Sequence, residues 1–423
     1  MNAEQPLTGK TEALLPGGEA LVRTAETSFL LHNSVPGDLI TFIPSGKRRG
    51  AERGNLVEVI EASADRVSPP CQFAAQCGGC AMQYVAPATQ AEIKSVWVCE
   101  AFRGSADSNT VKIPATTPSL SGRRRLRWYT GSDTEGPFLG FRAKNSHTVV
   151  RHDTCICASA PLNQLRQQLE DASEAIGLEG YESLQAVELD DGIHLILEGG
   201  AVSPGVVPPF DEVGGLALQW WHRLDGITRP LSKPVPSFHD SLPAGENGDI
   251  ELLVGPDDFI QGQVAGNRSM IGQLIEWSEG ACFVVDLFSG IGNLSLPIAA
   301  ACGARVAGAE LNAASVRAAN ANARRLNLDA SYVEANLFEN FSVEPFVGAD
   351  LLILDPPRRG AKKVCSMMGS LLPSKIVMVN CDVASGGRDG EILKSFGYRL
   401  HTLRALDLFP YAGHVEAMSL WVR

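Results

Sequence analysis

The sequence predicts an α/β protein that ends in a doubly wound, Rossmann-like sheet and begins with a small β-barrel, with a mixed α+β region between them. From Gly266 onward, apolar runs rich in valine, isoleucine and leucine alternate with helix-like segments, which is typical of a parallel sheet covered on both faces. Before residue 65, strand-like runs at 20–22, 29–31, 39–43 and 56–60 are separated by glycine, proline and asparagine turns and, between the last two, by the basic stretch 46–54. Their spacing favours a barrel of the OB type, and a plain structural cap would fit it equally well.

Two further stretches help to place the domain boundaries. Ser68-Pro69-Pro70 marks the end of the barrel, and residues 266–280 predict the first helix of the last domain. Residues 183–200 predict two alternating strands around an Asp-Asp-Gly turn. The predicted domains are residues 1–65, 66–260 and 261–423.

The composition limits which cellular compartment and which binding partners we expect for the protein. The sequence has no apolar segment typical of a signal peptide and no apolar run of about 18 residues, so we expect a cytoplasmic protein with no membrane partner. We also expect a monomer. A net charge of −12 over 423 residues by itself opposes nucleic-acid binding. Basic clusters interrupt the acidic chain, however, and although any one of them is most often a solvated loop, together they favour RNA. They are Lys47-Arg48-Arg49, Arg123-Arg124-Arg125 with Arg127, and Arg358-Arg359 with Lys362-Lys363.

A glycine loop in the last domain predicts a nucleoside cofactor. In residues 282–299 a strand, a loop with Gly290 and Gly292, and a helix follow one another. Glu310 ends the next strand, where a carboxylate accepts hydrogen bonds from ribose hydroxyls. The third glycine of a dinucleotide loop is missing, and Asp286 precedes the loop. This form suits S-adenosylmethionine, whose sulfonium and ammonium groups favour negative charge.

Chemically useful side chains follow the later strands of this domain. Asp355, in Asp-Pro-Pro, and Cys381 each end an apolar run, and ligands bind at the carboxyl ends of such strands. A thiolate there is a ready nucleophile, whereas the other free cysteines of the domain are predicted to be buried filler. Those fillers are Cys282, Cys302 and Cys365.

Glu416 begins the apolar final strand, where burial should raise its pKa and suit it to proton abstraction. His414 competes for that role. A thiol, a base and a methyl donor together suit methylation of uracil at carbon 5: thiolate addition at carbon 6 makes carbon 5 nucleophilic, and the base then removes the hydrogen from carbon 5.

The stretch CQFAAQCGGC, residues 71–80, predicts a metal or redox site, because thiols in the cytoplasm stay reduced and ten cysteines are too few for a disulfide scaffold. Nearly the whole chain resembles the RNA uracil-5-methyltransferases that act on 23S rRNA and on the tRNA T-loop. The matching motifs are PGDLI in a TRAM-like barrel, SPPCQFAAQCGGCAMQ, LGFRAKNSHTVVRHDTC, DFIQGQ, DLFSGIGN, LDPPRRG, NCDVASGGRD and FPYAGHVEA.

The resemblance implies a role for each motif residue. Cys381 would be the nucleophile, Glu416 the base, and Phe259 would stack on a flipped target base. Cys71, Cys77, Cys80 and a fourth cysteine would hold a 4Fe–4S cluster, with zinc as the alternative metal. Cys155 is the expected fourth ligand and Cys157 its rival. The residues expected to line the S-adenosylmethionine pocket and the adjoining base site are Gln261, Phe288, Asn293, Glu310, Asn336 and Asp355.

Departures from the family leave other hypotheses open. The family has Ser-Cys-Asn-Pro at the nucleophile and this chain has Asn-Cys-Asp-Val, in which Asp382, if close to the sulfur, would raise the pKa of the thiol. A non-catalytic RNA-binding homologue is therefore an alternative, and an iron–sulfur oxidoreductase that uses a dinucleotide is a weaker one. The expected substrate is ribosomal RNA rather than tRNA.

Overall fold

The computed structural model describes residues 5–48, 50–116, 120–200, 208–233 and 237–423, so Arg49 of the first basic cluster lies outside the described residues. The predicted N-terminal barrel is present. Its strands close in the order β1-β2-β3-β5-β4, around a core that includes Phe29 and Phe42, whose ring centroids are 4.9 Å apart. The strands are β1 (Leu7–Leu14), β2 (Ala20–Arg23), β3 (Ser28–Leu31), β4 (Leu39–Arg48) and β5 (Ala51–Glu61).

Two details of the barrel differ from the prediction. β1 was not predicted, because Gly9 interrupts its apolar alternation; a Cβ there would lie 2.7 Å from Val22 Cγ1, so close packing explains the glycine. The basic stretch between β4 and β5 is not a long loop. The two strands pair as far as Arg48 and Ala51, which turns most of that stretch into a β-hairpin.

The central region forms a mixed sheet in the order β12-β13-β11-β10-β7-β8-β9, with β14 beside β13 and a separate β15-β16 pair. Its elements are α1 (Pro87–Ala101), β6 (Val111–Thr116), β7 (Arg125–Asp133), β8 (Gly136–Arg142), β9 (Val149–Arg151), α2 (Ala160–Asp171), α3 (Ser173–Ile176), β10 (Ser183–Glu188), β11 (Gly192–Glu198), β12 (Glu212–Val213), β13 (Leu216–Leu224), β14 (Ile227–Pro230), β15 (Phe238–Pro243) and β16 (Asp249–Val254).

Residues 183–200 do form two strands, but the predicted alternation is wrong. β10 and β11 are buried on both faces along nearly their whole length. Leu165 on α2 packs with Leu184 on one side of the sheet, and Phe238 on β15 packs with Val187 on the other. Both faces therefore carry apolar residues.

The C-terminal sheet has the order β19-β18-β17-β20-β21-β23-β22-β6. Neighbours from β19 to β21 are parallel, as predicted, whereas β23 lies antiparallel between β21 and β22. The elements are α4 (Val264–Trp277), β17 (Phe283–Leu287), α5 (Ser295–Cys302), β18 (Arg305–Glu310), α6 (Ala313–Arg325), β19 (Ala330–Glu334), β20 (Leu351–Leu354), α7 (Lys362–Cys365), α8 (Met368–Leu371), β21 (Lys375–Asn380), α9 (Val383–Ser395), β22 (Arg399–Leu406) and β23 (Glu416–Val422).

The central stretch of the chain contributes to this sheet. β6 pairs in parallel with β22 at its edge, and Phe102, which follows α1, packs in the same core as Trp421. The domain boundaries at 65 and 260 stay a prediction. None of the helices in the described ranges has the length and apolar character needed to cross a membrane.

The three free cysteines that were predicted to be buried packing residues differ in their exposure. Cys365 is buried, as expected, but Cys282 and Cys302 are exposed. Cys282 immediately precedes β17 and Cys302 ends α5, and the ends of these elements reach the surface. The prediction for those two residues was wrong because it considered residue type without position in the element.

Candidate active site

The glycine loop between β17 and α5 has the conformation that its sequence predicts. Gly290 and Gly292 have φ values of 53° and 86°, which glycine adopts without strain. A Cβ on Gly292 would lie 2.7 Å from Leu296 Cδ1. Glu310, at the end of β18, accepts a hydrogen bond from the Gly290 backbone N–H at 3.2 Å and from the Asn312 N–H at 2.9 Å. The carboxylate is thereby held against the loop.

A small cavity of about 40 Å³ lies inside this loop. Asn336, which follows β19, is not among the residues that line it; its side chain accepts a hydrogen bond from the Phe338 N–H at 3.1 Å, and the Phe338 ring lies 5.3 Å from that of Phe288. Sequence reasoning had not assigned Ser289 to the site, although its hydroxyl is buried in the cavity wall without a described partner. Of the predicted residues, Gln261, Phe288, Asn293 and Asp355 line the cavity.

Two buried carboxyl groups face the same cavity. Asp286 Oδ2 accepts a hydrogen bond from Ser295 Oγ at 2.6 Å, and that hydroxyl lies 2.9 Å from the hydroxyl of Tyr332. Asp286 Oδ1 has no hydrogen-bond partner among the described protein atoms. Burial, with a smaller effect of Glu310, raises the pKa of Asp286 to about 7. Burial also raises the pKa of Asp355 well above its usual range, helped by Glu416 and Asp286.

Cys381 and Glu416 lie at the same edge of the C-terminal sheet. β21 and β23 are antiparallel, with Asn380 opposite Ala417. Extending this register by one residue places Cys381 across from Glu416. Both residues line a cavity of about 700 Å³, and Gln261 lines both this cavity and the small one inside the glycine loop. The predicted nucleophile and base therefore share one site next to the cofactor loop.

The pKa shifts of the two residues suit Glu416 to the role of a base but disfavour the thiolate form of Cys381. Glu416 is 4% exposed, its Oε2 has no described partner, and burial raises its pKa to about 7. Burial, Glu416 and Asp355 raise the pKa of Cys381, and Arg358 opposes them. Asp382, which had been considered as a further cause, accepts a hydrogen bond from the Ser385 N–H at 2.8 Å and caps α9.

His414 also lines the large cavity. Burial and then the neighbouring cations, with Arg358 first among them, lower the pKa of its imidazole. These surroundings favour the neutral form of the ring. Glu416 differs from His414 in its position, because extending the register of β21 and β23 by one residue places it across from Cys381.

Arginine side chains line the large cavity. Arg125 stacks on Phe259, with 5.4 Å from its guanidinium carbon to the ring centroid, and Phe259 is 60% exposed. Arg124 is different: it is buried and pairs with Asp240, so it is not available to RNA, contrary to the expectation for the whole 123–127 run. The other arginines that line the cavity are Arg123, Arg127 and Arg358.

Comparison with known proteins identifies the family. The chain is 33% identical over 414 residues to the 23S rRNA (uracil(1939)-C(5))-methyltransferase RlmD of Shewanella piezotolerans, and the match covers 92% of this chain and 90% of the relative. The chain belongs to the RNA uracil-C5-methyltransferase family. The protein of the same name from Pectobacterium atrosepticum is 28% identical over 428 residues, with 98% and 93% coverage.

Two other comparisons concern the fold. Residues 266–373 match the family model described as the methyltransferase small domain, which includes the glycine loop and Asp355. The crystal structure of the Pyrococcus abyssi tRNA (uracil-54, C5)-methyltransferase in complex with S-adenosyl-L-homocysteine superposes with a TM-score of 0.72. It is 20% identical, and the superposition covers 98% of this chain and 100% of that one. The fold of that structure therefore extends over nearly all of this chain.

In this RNA uracil-C5-methyltransferase, the cysteines of the 71–80 stretch meet those of residues 155–157. Cys80 Sγ lies 3.9 Å from Cys157 Sγ. Neighbouring thiolates, including Cys71, Cys80 and Cys155, help burial to raise the pKa of Cys77 to about 11. The Asn163 amide fixes the backbone of Cys155, accepting from its N–H at 2.8 Å and donating to its carbonyl at 3.1 Å.

The donor set of this cysteine group fits a thiolate-bound metal or cluster, since every donor is sulfur. Within the described ranges, no three histidine, cysteine or acidic side chains are already arranged around one metal position. Arg123 lies near Cys80 and Cys155, and Lys144 near Cys77 and Cys80. Positive charge beside the thiols favours their ionised form.

Proposed function

We propose that the protein transfers the methyl group of S-adenosylmethionine to carbon 5 of a uridine in 23S ribosomal RNA, at the position that corresponds to uridine 1939 in the name of its relatives. The observation that carries the proposal is the placement of Cys381 across the strand register from Glu416, in an arginine-lined cavity that adjoins the glycine loop. A thiol and a buried carboxyl at that edge are what the reaction requires.

The cofactor would bind in the small cavity and over the glycine loop. Glu310 would accept the ribose hydroxyls, because it already holds the loop and stands at the end of the second strand of the domain. Asp286 Oδ1, buried and without a described partner, would accept the cofactor's ammonium group. Gln261, Phe288, Asn293, Asn336 and Asp355 would complete the pocket and its border with the base site.

The proposed chemistry follows from the two facing groups. The Cys381 thiolate adds to carbon 6 of the uracil, and the electron pair moves through the ring so that carbon 5 attacks the methyl carbon of the sulfonium. S-adenosylhomocysteine leaves with the electron pair of the broken carbon–sulfur bond. Glu416 then takes the proton from carbon 5, and the thiolate is eliminated from carbon 6. The product is 5-methyluridine, and Cys381 is regenerated.

The RNA would approach through the outer part of the large cavity. Phe259 is exposed beside Arg125 and would stack on the flipped base, and the surrounding arginines would contact phosphates. The barrel and the central region would add contacts that select the RNA. We further propose that the enzyme acts in the cytoplasm as a monomer.

The cysteine group would hold a 4Fe–4S cluster through Cys71, Cys77, Cys80 and Cys155. The two hydrogen bonds between the Asn163 side-chain amide and the backbone of Cys155 support the choice of Cys155 over Cys157 as the fourth ligand. When bound, the cluster would supply a rigid cross-link between two segments rather than electrons, because methyl transfer changes no oxidation state in the protein. Zinc is the alternative metal for the same thiols.

Mapping 5-methyluridine by mass spectrometry in a strain that lacks the gene tests the function. We expect one ribosomal 5-methyluridine to disappear and to return with the parent gene but not with a Cys381→Ala version. Loss of a tRNA 5-methyluridine instead would change the substrate but not the chemistry. An unchanged RNA methylation pattern would contradict the proposal and favour a non-catalytic RNA-binding role.

A further inference from the structure

The loop of residues 407–415 connects β22 to Glu416, and it is held from outside the active site. The loop also supplies part of the wall of the large cavity, through Phe409, Ala412 and His414. Glu416 directly follows this loop as the first residue of β23, so a shift at the end of the loop would move the start of that strand and with it the carboxyl group. The segments that hold the loop therefore bear on the placement of the base.

Helix α1 makes the first contact with this loop. Lys94 Nζ donates to Asp407 Oδ1 at 2.7 Å and to the Phe409 carbonyl at 3.0 Å, and the Lys94 and Asp407 side chains are 0% exposed. Trp97, three residues further along the helix, donates its Nε1–H to the Leu14 carbonyl at 2.8 Å. Residues three apart lie on one face of a helix, so a single face of α1 binds both the loop and the end of β1.

The turn between β1 and β2 makes the second contact. The Gly17 N–H donates to the Gly413 carbonyl at 2.7 Å. The backbones touch here, because a Cβ on Gly413 would lie 2.3 Å from both Gly17 C and Gly18 N. A Cβ on Gly18 would lie 2.4 Å from Ala81 Cβ, so a third segment closes the same junction.

The cysteine segment supplies that third contact. The Met82 N–H, two residues after Cys80, donates to the Tyr411 carbonyl at 2.8 Å. Tyr411 has a φ of 61°, a left-handed conformation that a residue with a side chain holds only when its surroundings fix it. The barrel turn, the cysteine segment and α1 thus meet on one short loop.

We propose that these contacts form a clasp that positions Glu416 for proton abstraction, so that the barrel serves the chemical step as well as RNA binding. The clasp consists of Gly17, Gly18, Ala81, Met82, Lys94 and residues 407–415. It rests on the proposed function, since it assigns these residues to the placement of the base. Displacing the clasp should slow removal of the carbon 5 proton more than it slows the attack of Cys381, which belongs to another loop.

The test uses the full-length protein with Gly18→Ala, which drives a Cβ into Ala81, and the double variant Gly18→Ala/Ala81→Gly, which removes the obstacle. Gly46→Ala is the matched control: Gly46 lies in the same barrel with a φ of 92°, close to the 80° of Gly18, but a Cβ there meets nothing within 4 Å. Turnover, KM for RNA, affinity for S-adenosylhomocysteine, thermal melting and the amount of covalent protein–RNA complex on denaturing gels are measured for each.

For Gly18→Ala we expect turnover to fall about 10- to 100-fold, the range that a misplacement of about 1 Å produces. The methylated covalent complex should accumulate, while the affinity for S-adenosylhomocysteine stays that of the parent. Ala81→Gly should restore turnover in the double variant, and Gly46→Ala should behave like the parent.

Parent-like turnover in Gly18→Ala, a loss of turnover without accumulated complex, or no restoration by Ala81→Gly would each overturn the clasp. A parent protein that makes neither the covalent complex nor 5-methyluridine would instead overturn the proposed function itself.

Discussion

Arg124 and Asp240 form a buried, bidentate ion pair, and Arg124 is the middle residue of the arginine run 123–125. The guanidinium donates to both carboxylate oxygens, at 2.5 and 2.9 Å, and also to the Gln261 carbonyl at 3.0 Å. Its neighbours Arg123 and Arg125 line the large cavity. One arginine therefore holds the segment that carries Gln261, while the residues on either side are available to a substrate.

This difference predicts opposite effects for two adjacent substitutions. Arg124→Met leaves the Asp240 carboxylate buried without its partner, so the free energy of unfolding should fall by about 3–5 kcal/mol. Arg125→Met should change it by less than about 1 kcal/mol, yet weaken RNA binding and reduce the slope of log affinity against log salt by about 1. Chemical denaturation and binding at several salt concentrations measure both effects. Equal stability of the two variants would contradict the assignment.

The pH dependence of the reaction should reflect both facing groups. Glu416, with a pKa raised to about 7, acts ionised, and so does Cys381, whose thiol pKa is raised. The single-turnover rate of 5-methyluridine formation should therefore rise through about pH 7 as Glu416 ionises, and keep rising at higher pH as Cys381 ionises, without a falling limb. Titrating single-turnover rates in matched buffers checks this.

Glu416→Gln should remove the pH step near 7 and lower turnover by about 10²- to 10⁴-fold, while covalent methylated RNA accumulates. A pH profile of this variant that keeps the step would show that another group, His414 in particular, is the base.

Buried carboxyl groups should make the protein less stable as the pH rises. The pKa of Asp286 is about 7 in the folded protein and about 3.9 in an unfolded chain, so the folded state keeps a proton that the unfolded state loses. The stabilisation is complete below about pH 4 and disappears as the pH rises through about 7.

Asp286→Asn should therefore raise the free energy of unfolding at pH 8 by roughly 1–4 kcal/mol, and weaken S-adenosylhomocysteine binding. Asp249→Asn is the control, because the Arg268 partner lowers the pKa of that carboxyl, and its removal should not stabilise. Denaturation curves at several pH values decide the matter. A destabilised Asp286→Asn protein would refute the cause given for the shift.

The sequence predicts most of this site because the chemistry follows strand ends. Asp355, Cys381 and Glu416 lie where apolar strands stop or begin, and the parallel order of β20 and β21 brings the first two together. The antiparallel pairing of β23 with β21, which sets Glu416 opposite Cys381, depends on long-range register that local pattern does not contain.

Residue type alone was a poor guide where tertiary contacts decide. Arg124 was grouped with neighbours that line the large cavity because its partner Asp240 is 116 residues away. From the sequence, Asp286 was only an acidic residue that precedes the glycine loop. Its hydrogen bond from Ser295 depends on the folded conformation of that loop, which the sequence pattern does not specify. The contact between Gly18 and Ala81 joins segments that no periodic signal links.

The cysteine group predicts a coloured, iron-containing protein. Protein purified without oxygen should absorb visible light and contain iron and sulfide, and Cys71→Ser, Cys77→Ser, Cys80→Ser and Cys155→Ser should each lose both. Cys157→Ser should keep them, since Asn163 fixes Cys155. Stoichiometric zinc without sulfide, or iron retained by Cys155→Ser and lost by Cys157→Ser, would contradict this assignment.

The most direct measurement of the central claim is a covalent bond between the protein and RNA that contains 5-fluorouridine, in which fluorine replaces the hydrogen that Glu416 must remove. With S-adenosylmethionine present, the parent should form a stable complex on a denaturing gel, joined through residue 381 and carrying one transferred methyl group. Cys381→Ala should form none and make no 5-methyluridine. Methylation by Cys381→Ala at the rate of the parent would contradict the account.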